Sequence, residues 1–510
     1  MNRALSGLLL GACTLGTAFA AQRLIAPYSG LGLTLYVAVL ASALLGFAAG
    51  AALGAGTQDG PGSSSKSGSR SGSQAARALL LAAGFTLVGA LARKPLLVLL
   101  SGAELRVVVT LTSVLFAGLP CLGLGYAFAA GLGDTRAADA LRALGWLLLG
   151  AALAAPLVGY VLVPRVGLTV TLAGIAAAEA IVALVRGARR SPMPVGAAGL
   201  VVLLTAGLQT VRPAAAARMG PRILELKQGL GSEYRVFDRD GARYELADGS
   251  ILAVVDTLSG DCVQRGPAAL ELLKLIRTGR DSMLVLGLRG GALPLAFARS
   301  GWRVRVVEPD HDAVSVSLRV SYRPGEMALE AQDMRRFVRR DAARYGVVVV
   351  DAFASSELPY PLCTREFVFD VARRLTPDGL VVMAVEAHGW RDPLVASLAA
   401  TLRARFANVV ALPTSEPQNA LGTILLVASH EPLPLTDEQL PDPSTFFQNP
   451  DALWVVQQQL HAWLNRYEPP REGAMVLTDD KSPVEVWADR VNHAARRELH
   501  AFFGPNGGSW

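Results

Sequence analysis

"MLVLGLRGGALPLAFARSGWRVRVVEPD", residues 283–310, decides how the second half of this chain is read. Met283 to Leu286 is a short apolar run with the character of a buried strand. Gly287, Gly290 and Gly291 follow, then a helix-like run to Arg299, a turn at Ser300-Gly301, and a second strand from Val304 to Val307. That strand delivers Glu308, 21 residues after Gly287. Strand, glycine loop, helix, strand and acid in this order form a nucleoside-holding unit. The glycines let backbone N–H groups approach a ligand, and a carboxylate at the end of the second strand can accept both ribose hydroxyls.

Outward from this unit, further strands near 347–350 and 380–385 alternate with helical patterns, which predicts a parallel, doubly wound sheet. Upstream, residues 222–262 alternate polar and apolar positions, and Asp240-Gly241 and Asp248-Gly249 are hairpin signals between short strands. A small β-hairpin lid is expected there, followed by a helix from Pro267 to Arg277. Residues 441–510 read as polar and helical, ending in a Gly-rich tail.

The first half is a different material. Its 213 residues hold 15 Lys/Arg, 5 Asp/Glu and no His, while the remaining 297 hold 33 Lys/Arg, 37 Asp/Glu and all six His. The overall charge of +6 therefore comes from the first half, where basic residues sit in loops between apolar runs, as membrane topology requires. A nucleic-acid partner is rejected on that ground. Apolar stretches cover 5–21, 31–55, 78–92, 107–133, 143–164, 166–185 and 193–211, and spanning a bilayer takes about 20 residues. Six or seven spans are expected, about seven if the short third stretch is counted. The first stretch also has signal-peptide composition, with a small-residue cleavage site in "TAFAAQ". With seven spans, nine basic residues fall on one side and eight on the other, which leaves orientation open. Residues 57–75 read as a flexible Gly/Ser linker. The four cysteines and six histidines show no metal-ligand spacing, so unpaired thiols and no metal site are expected.

Four acidic positions fall at or just beyond strand ends: Glu308, Asp333 after "MALEAQ", Asp351 after "YGVVVV", and the Asp479-Asp480 pair in "LTDDKSP". Any one of them could simply cap a helix or meet solvent. Asp351 stands out, because four valines carry it straight out of a buried strand, where a carboxylate can be desolvated and tuned as a base.

From about residue 222 to 490 the chain resembles the polyamine aminopropyltransferases (spermidine synthases), and specifically their membrane-fused bacterial type. The resemblance rests on "VLGLRGG", "VVEPD", "QDMRRF", "VVVVDAFASSELPYPLCTREF" and "LTDDKSPVE", with "QRLIAPYSGLGLTLYVAVLASALLGFAAGAALG" resembling the opening of the fused membrane part. It implies an N-terminal α-helical multi-pass membrane domain (1–213), a β-strand lid subdomain (214–266) and a C-terminal α/β Rossmann-like, methyltransferase-type domain (267–510). It also implies transfer of the aminopropyl group of decarboxylated S-adenosylmethionine to putrescine or a related amine, giving spermidine and methylthioadenosine. That donor is a co-substrate, and no cofactor is expected.

By the same resemblance, Gly287, Gly290 and Gly291 form the donor loop, Glu308 meets the ribose, and Asp333 with Met334 meets the adenine. Asp351 accepts the proton and, with Asp479 and Asp480, binds the amine. The chemistry suits these residue types, since an amine with a pKa near 10 must lose a proton to attack carbon. The departures fall on the amine side. Gly290 and Ala354 stand where the family usually has Asp, "PAAL" at 267–270 replaces a Tyr-His pair, and Arg289 puts a cation in the glycine loop.

Two other readings stay open: an S-adenosylmethionine-dependent transferase of the same fold, and a non-catalytic membrane transporter or sensor that binds an adenosyl metabolite. For the last, Glu179 is the one acid inside a span. The expected partners are a small amine and the lipid bilayer, with a homo-oligomer left open. The expected location is the inner membrane, with the catalytic domain facing the cytoplasm that supplies the donor.

Overall fold

A computed structural model describes residues 3–56, 67–100, 103–132, 136–187, 222–229, 231–277, 281–352 and 359–503. The chain forms two compact units, Met1–Gly220 with Leu499–Trp510, and Pro221–Glu498.

The first unit is helical: α1 (Arg3–Ser29), α2 (Leu33–Gly56), α3 (Ser67–Leu99), α4 (Leu105–Leu132), α5 (Ala137–Val166) and α6 (Leu168–Gly187). Among the described residues these are six helices long and apolar enough to cross a membrane. The seventh expected stretch, 193–211, lies outside the described residues. α3 begins at Ser67, inside the expected linker. Once the apolar part of a helix is nucleated, each added residue closes one more backbone hydrogen bond, so the helix runs back into Ser/Gly sequence. Leucines such as Leu44, Leu45 and Leu148 are exposed on these helices. Inside, glycines set the contact distances. A Cβ on Gly11 would lie 1.8 Å from the Leu147 carbonyl oxygen, and one on Gly150 would lie 1.9 Å from that of Leu8. α1 and α5 thus pack backbone to backbone, as small residues permit where no hydrophobic effect drives association. Glu179 is wholly buried on α6, and the Thr86 hydroxyl donates to it at 3.4 Å.

The second unit opens with a four-stranded antiparallel sheet of β1 (Arg222–Gln228), β2 (Glu233–Arg239), β3 (Ala242–Ala247) and β4 (Ser250–Asp256), in that order. Asp240-Gly241 and Asp248-Gly249 all have positive φ, the conformation that two-residue hairpin turns need. The expected helix at 267–277 is shorter and shifted: α7 spans Arg265–Leu270, and the chain breaks before a single turn at Leu273–Ile276.

A seven-stranded sheet follows. Its strands are β5 (Ser282–Leu286), β6 (Arg303–Val307), β7 (Ala328–Glu330), β8 (Tyr345–Val350), β9 (Leu375–His388), β10 (Asn408–Pro413) and β11 (Leu421–Ser429). Helices α8 (Ala292–Arg299), α9 (His311–Ser317), α10 (Met334–Arg340), α11 (Arg365–Ala372) and α12 (Pro393–Arg403) join them, and α13 (Pro450–Leu464) and α14 (Val484–Phe503) follow.

The spatial order is β7-β6-β5-β8-β9-β11-β10. Numbered within this sheet it is 3-2-1-4-5-7-6, the Rossmann-like arrangement of methyltransferase-type domains. The strands expected to be parallel are so, and an antiparallel pair that the sequence reading did not include extends the sheet. β5 to β9 are parallel, but β11 runs antiparallel to β9, and β10 antiparallel to β11. The seven residues between β10 and β11 are too few for a crossover helix, so the pair closes as a hairpin. Val347 to Val350 are fully buried, as a strand covered on both faces must be.

Candidate active site

In an open α/β sheet, ligands bind beyond the carboxyl ends of the strands, where the strand order reverses. Here that point lies between β5 and β8. The Asp351 N–H donates to the Leu286 carbonyl at 2.9 Å, and the Gly287 N–H to the Val307 carbonyl at 3.0 Å, so three strand ends converge. Gly287, at φ 111°, has no room for a side chain, since a Cβ would lie 2.0 Å from the Asp351 carbonyl oxygen.

Glu308 leaves β6 and folds back over the glycine loop. Its carboxylate accepts the Leu288 N–H and the Asp310 N–H, both at 3.1 Å. Burial raises its pKa, and the two backbone donors work against that. Asp310 in turn caps α9 by accepting the Asp312 N–H at 2.8 Å, and accepts the Tyr234 hydroxyl of β2 at 2.7 Å. Lid sheet and glycine loop are therefore tied through the acid segment.

Asp351 is 5% exposed, and its carboxylate is paired with a cation. Arg289 donates to it at 2.5 Å and also reaches the Ile251 carbonyl at 3.4 Å. Burial alone would lower the Arg289 pKa, but the Asp351 carboxylate outweighs that and raises it. Arg289 has a φ of 39°, in the left-handed region that a non-glycine residue enters only at a cost of about 1–3 kcal/mol.

Glu245 is a site residue that sequence reasoning missed. It lies on β3, wholly buried, and accepts the Ser317 hydroxyl at 3.1 Å. A Cβ on Gly290 would stand 2.9 Å from a Glu245 carboxylate oxygen and 2.4 Å from the Ala253 Cβ, so glycine at 290 is what lets the lid strands close on the loop. Burial raises the Glu245 pKa to about 8, with Glu308 adding to the rise and Ser317 and Arg289 opposing it. The only sequence signal was a charged residue within the alternation of "RYELAD".

The other expected positions fall further out. Asp333 is exposed and caps α10 by accepting the Arg336 N–H at 2.7 Å, while Met334 is buried in the core. Asp479 and Asp480 are exposed. Asp479 accepts two hydrogen bonds from Arg335, at 2.8 and 2.7 Å, and this pairing lowers its pKa. Ala354 lies outside the described residues. Among the described residues, no group of three or more His, Cys, Asp or Glu side chains could hold a metal ion.

A cavity of 240 Å³ opens beside Asp351 and Arg289, reaching Gln264, Thr414, Ser415 and Thr423. A larger one, 330 Å³, lies at the opposite edge of the sheet around Asp281 and Asp378. The smaller cavity is the one at the carboxyl edge, where the chemistry of this fold belongs.

No protein-family model matches the chain. It is 20% identical over 217 residues to a probable polyamine aminopropyl transferase of Bifidobacterium longum, covering 40% of this chain and 48% of that protein. The chain thus spans about half the length of this curated relative. Among solved structures it is similar to a probable spermidine synthase from Corynebacterium glutamicum, with TM-score 0.42, 16% identity, 51% of this chain and 97% of that one. It is also similar to the spermidine synthase of Thermotoga maritima, with TM-score 0.35, 14% identity, 47% of this chain and 87% of that one. The resemblance drawn from the motifs is supported by the Bifidobacterium relative, and the Rossmann-like, methyltransferase-type fold rests on the strand order itself.

Proposed function

We propose that this protein is a membrane-anchored aminopropyltransferase of the spermidine-synthase type, moving the aminopropyl group of decarboxylated S-adenosylmethionine to an amine. The observation that carries this reading is the convergence of Glu308 and Asp351 on one glycine loop at the strand-order reversal. Glu308, reached through Leu288 of that loop, would take the ribose. The donor's sulfonium carbon would then lie toward Asp351 and the adjoining cavity. The acceptor enters as an ammonium ion and must lose a proton to Asp351. Its nitrogen lone pair forms the new N–C bond, the C–S bond breaks with its electron pair going to sulfur, and neutral methylthioadenosine leaves. Positioning and one proton transfer are all the protein has to supply, and no cofactor is called for.

The test uses full-length protein in detergent with decarboxylated S-adenosylmethionine and a panel of amines, following methylthioadenosine release. Release that is abolished in Asp351→Asn supports the reading. Release that survives this change refutes the assignment of the base. The catalytic unit is proposed to face the cytoplasm, and a reporter fused at the carboxyl end that is active only outside it would refute this.

A further inference from the structure

We infer that the acceptor for this site is an amine that also carries a carboxylate, an amino-acid-type molecule rather than a diamine. This rests on the transferase reading above. The cavity beside Asp351 is small, 240 Å³ against the roughly 300–1,000 Å³ of pockets for larger ligands. Its lining includes neither Glu308 nor Gly287, so its occupant is the second substrate and not the nucleoside.

Charge then selects the occupant. Among the described residues lining the cavity, Asp351 is the only acid; two arginines line it as well, the exposed Arg265 and Arg289, which is bonded to Asp351. Glu386 attracts Arg289 from β9 without lining the cavity. A diamine enters with two positive charges and would meet a guanidinium, an arrangement that costs affinity. An amino-acid-type acceptor brings an ammonium for Asp351 and a carboxylate for Arg289. Thr414, Ser415 and Thr423 line the same space.

Arg289 is also held there under strain. Its backbone sits in the left-handed region at φ 39° while its side chain spans from Asp351 to the Ile251 carbonyl. A strained residue at a site points to a use for its side chain.

The pairing has a mechanistic consequence. Asp351 is bound to a guanidinium 2.5 Å away, which occupies the carboxylate that has to receive the ammonium proton. A substrate carboxylate offers Arg289 a bidentate partner, draws it off Asp351 and frees the base. Asp351 then takes the ammonium proton. The nitrogen lone pair forms the bond to the carbon beside the sulfonium, and the C–S pair leaves on sulfur. The acceptor's own carboxylate thus switches on the group that deprotonates it.

The experiment uses the full-length protein in detergent and measures methylthioadenosine release from decarboxylated S-adenosylmethionine. The acceptors are glycine, β-alanine, 4-aminobutanoate and ornithine, set against 1,3-diaminopropane, putrescine and cadaverine. The expected result is kcat/KM at least about tenfold higher for the best amino acid than for the best diamine, a difference of about 1.4 kcal/mol. Arg289→Gln should lower kcat/KM for the amino acids, raise it for the diamines, and leave methylthioadenosine binding unchanged. Arg289→Lys should keep the amino-acid preference in weakened form.

A diamine preference in the unchanged protein overturns the inference and leaves the transferase reading standing. So does an equal loss for both acceptor classes in Arg289→Gln, which would make Arg289 merely structural. Methylthioadenosine release with intact S-adenosylmethionine and diamines, but not with the decarboxylated donor, would place the carboxylate on the donor and also overturn it. No release with any acceptor would bring down the transferase reading itself.

Discussion

The two sides of the site are built on opposite electrostatic plans. On the proposed nucleoside side, the Glu308 carboxylate accepts two backbone N–H groups, and among the described residues no cation is bonded to it. On the acceptor side, Asp351 is a carboxylate held by a guanidinium. Backbone donors are fixed by the fold and leave a carboxylate with lone pairs for ribose hydroxyls. A guanidinium is a competitor that a substrate can displace. Under the proposed function, the first half would be preset for its ligand, whereas the second would have to be released before it acts.

The largest effect that can break this contrast is at Asp351. Asp351→Asn should lower kcat by about 10²–10⁴-fold while methylthioadenosine still binds, because only the proton acceptor is lost. A similar loss of nucleoside binding would show that the two halves are not separate. Gly287→Ala comes next. Its Cβ would collide with the Asp351 carbonyl, and its φ of 111° disfavours any side chain. A loss of about 2–3 kcal/mol is expected, read as a lower Tm together with weakened nucleoside binding.

Glu245 sharpens the comparison through pH. Its folded-state pKa of about 8 lies above that of an ordinary glutamate, so the folded protein holds a proton that the unfolded chain releases. Its stability contribution is complete below about pH 4.3 and is lost as pH rises through about 8. Glu245→Gln should flatten the fall in Tm between pH 5 and 8, and an unchanged slope would remove Glu245 from the account. The smallest effect is at Asp479. Asp479→Ala breaks an exposed pair with Arg335 and should cost no more than about 1 kcal/mol in stability. A large loss of activity there would bring the late loop into the acceptor side.

Much of the fold was legible because its signals are local. Periodicity marked β5, β6, β8 and β9, glycines marked the loop, and uninterrupted apolar runs marked the helices of the first unit. The antiparallel β10–β11 pair was not, since strand direction depends on a connection whose path periodicity does not encode. Asp333 was expected at the adenine only through the resemblance; its carboxylate caps α10, a local use that its place after a strand also permits.

By itself the sequence determined a membrane-type helical half, a nucleoside-type β-loop-α-β-acid unit, and acids at the strand ends, because each depends on residues close together in the chain. Only the tertiary structure decided that Arg289 holds Asp351, that Glu245 of a lid strand takes the space a side chain at Gly290 would need, and that Thr414, Ser415 and Thr423 complete a cavity at the same edge. These pairings join segments about 45 to 135 residues apart. No pattern of hydrophobicity or spacing specifies such partners; packing and charge choose them once the strands are in place.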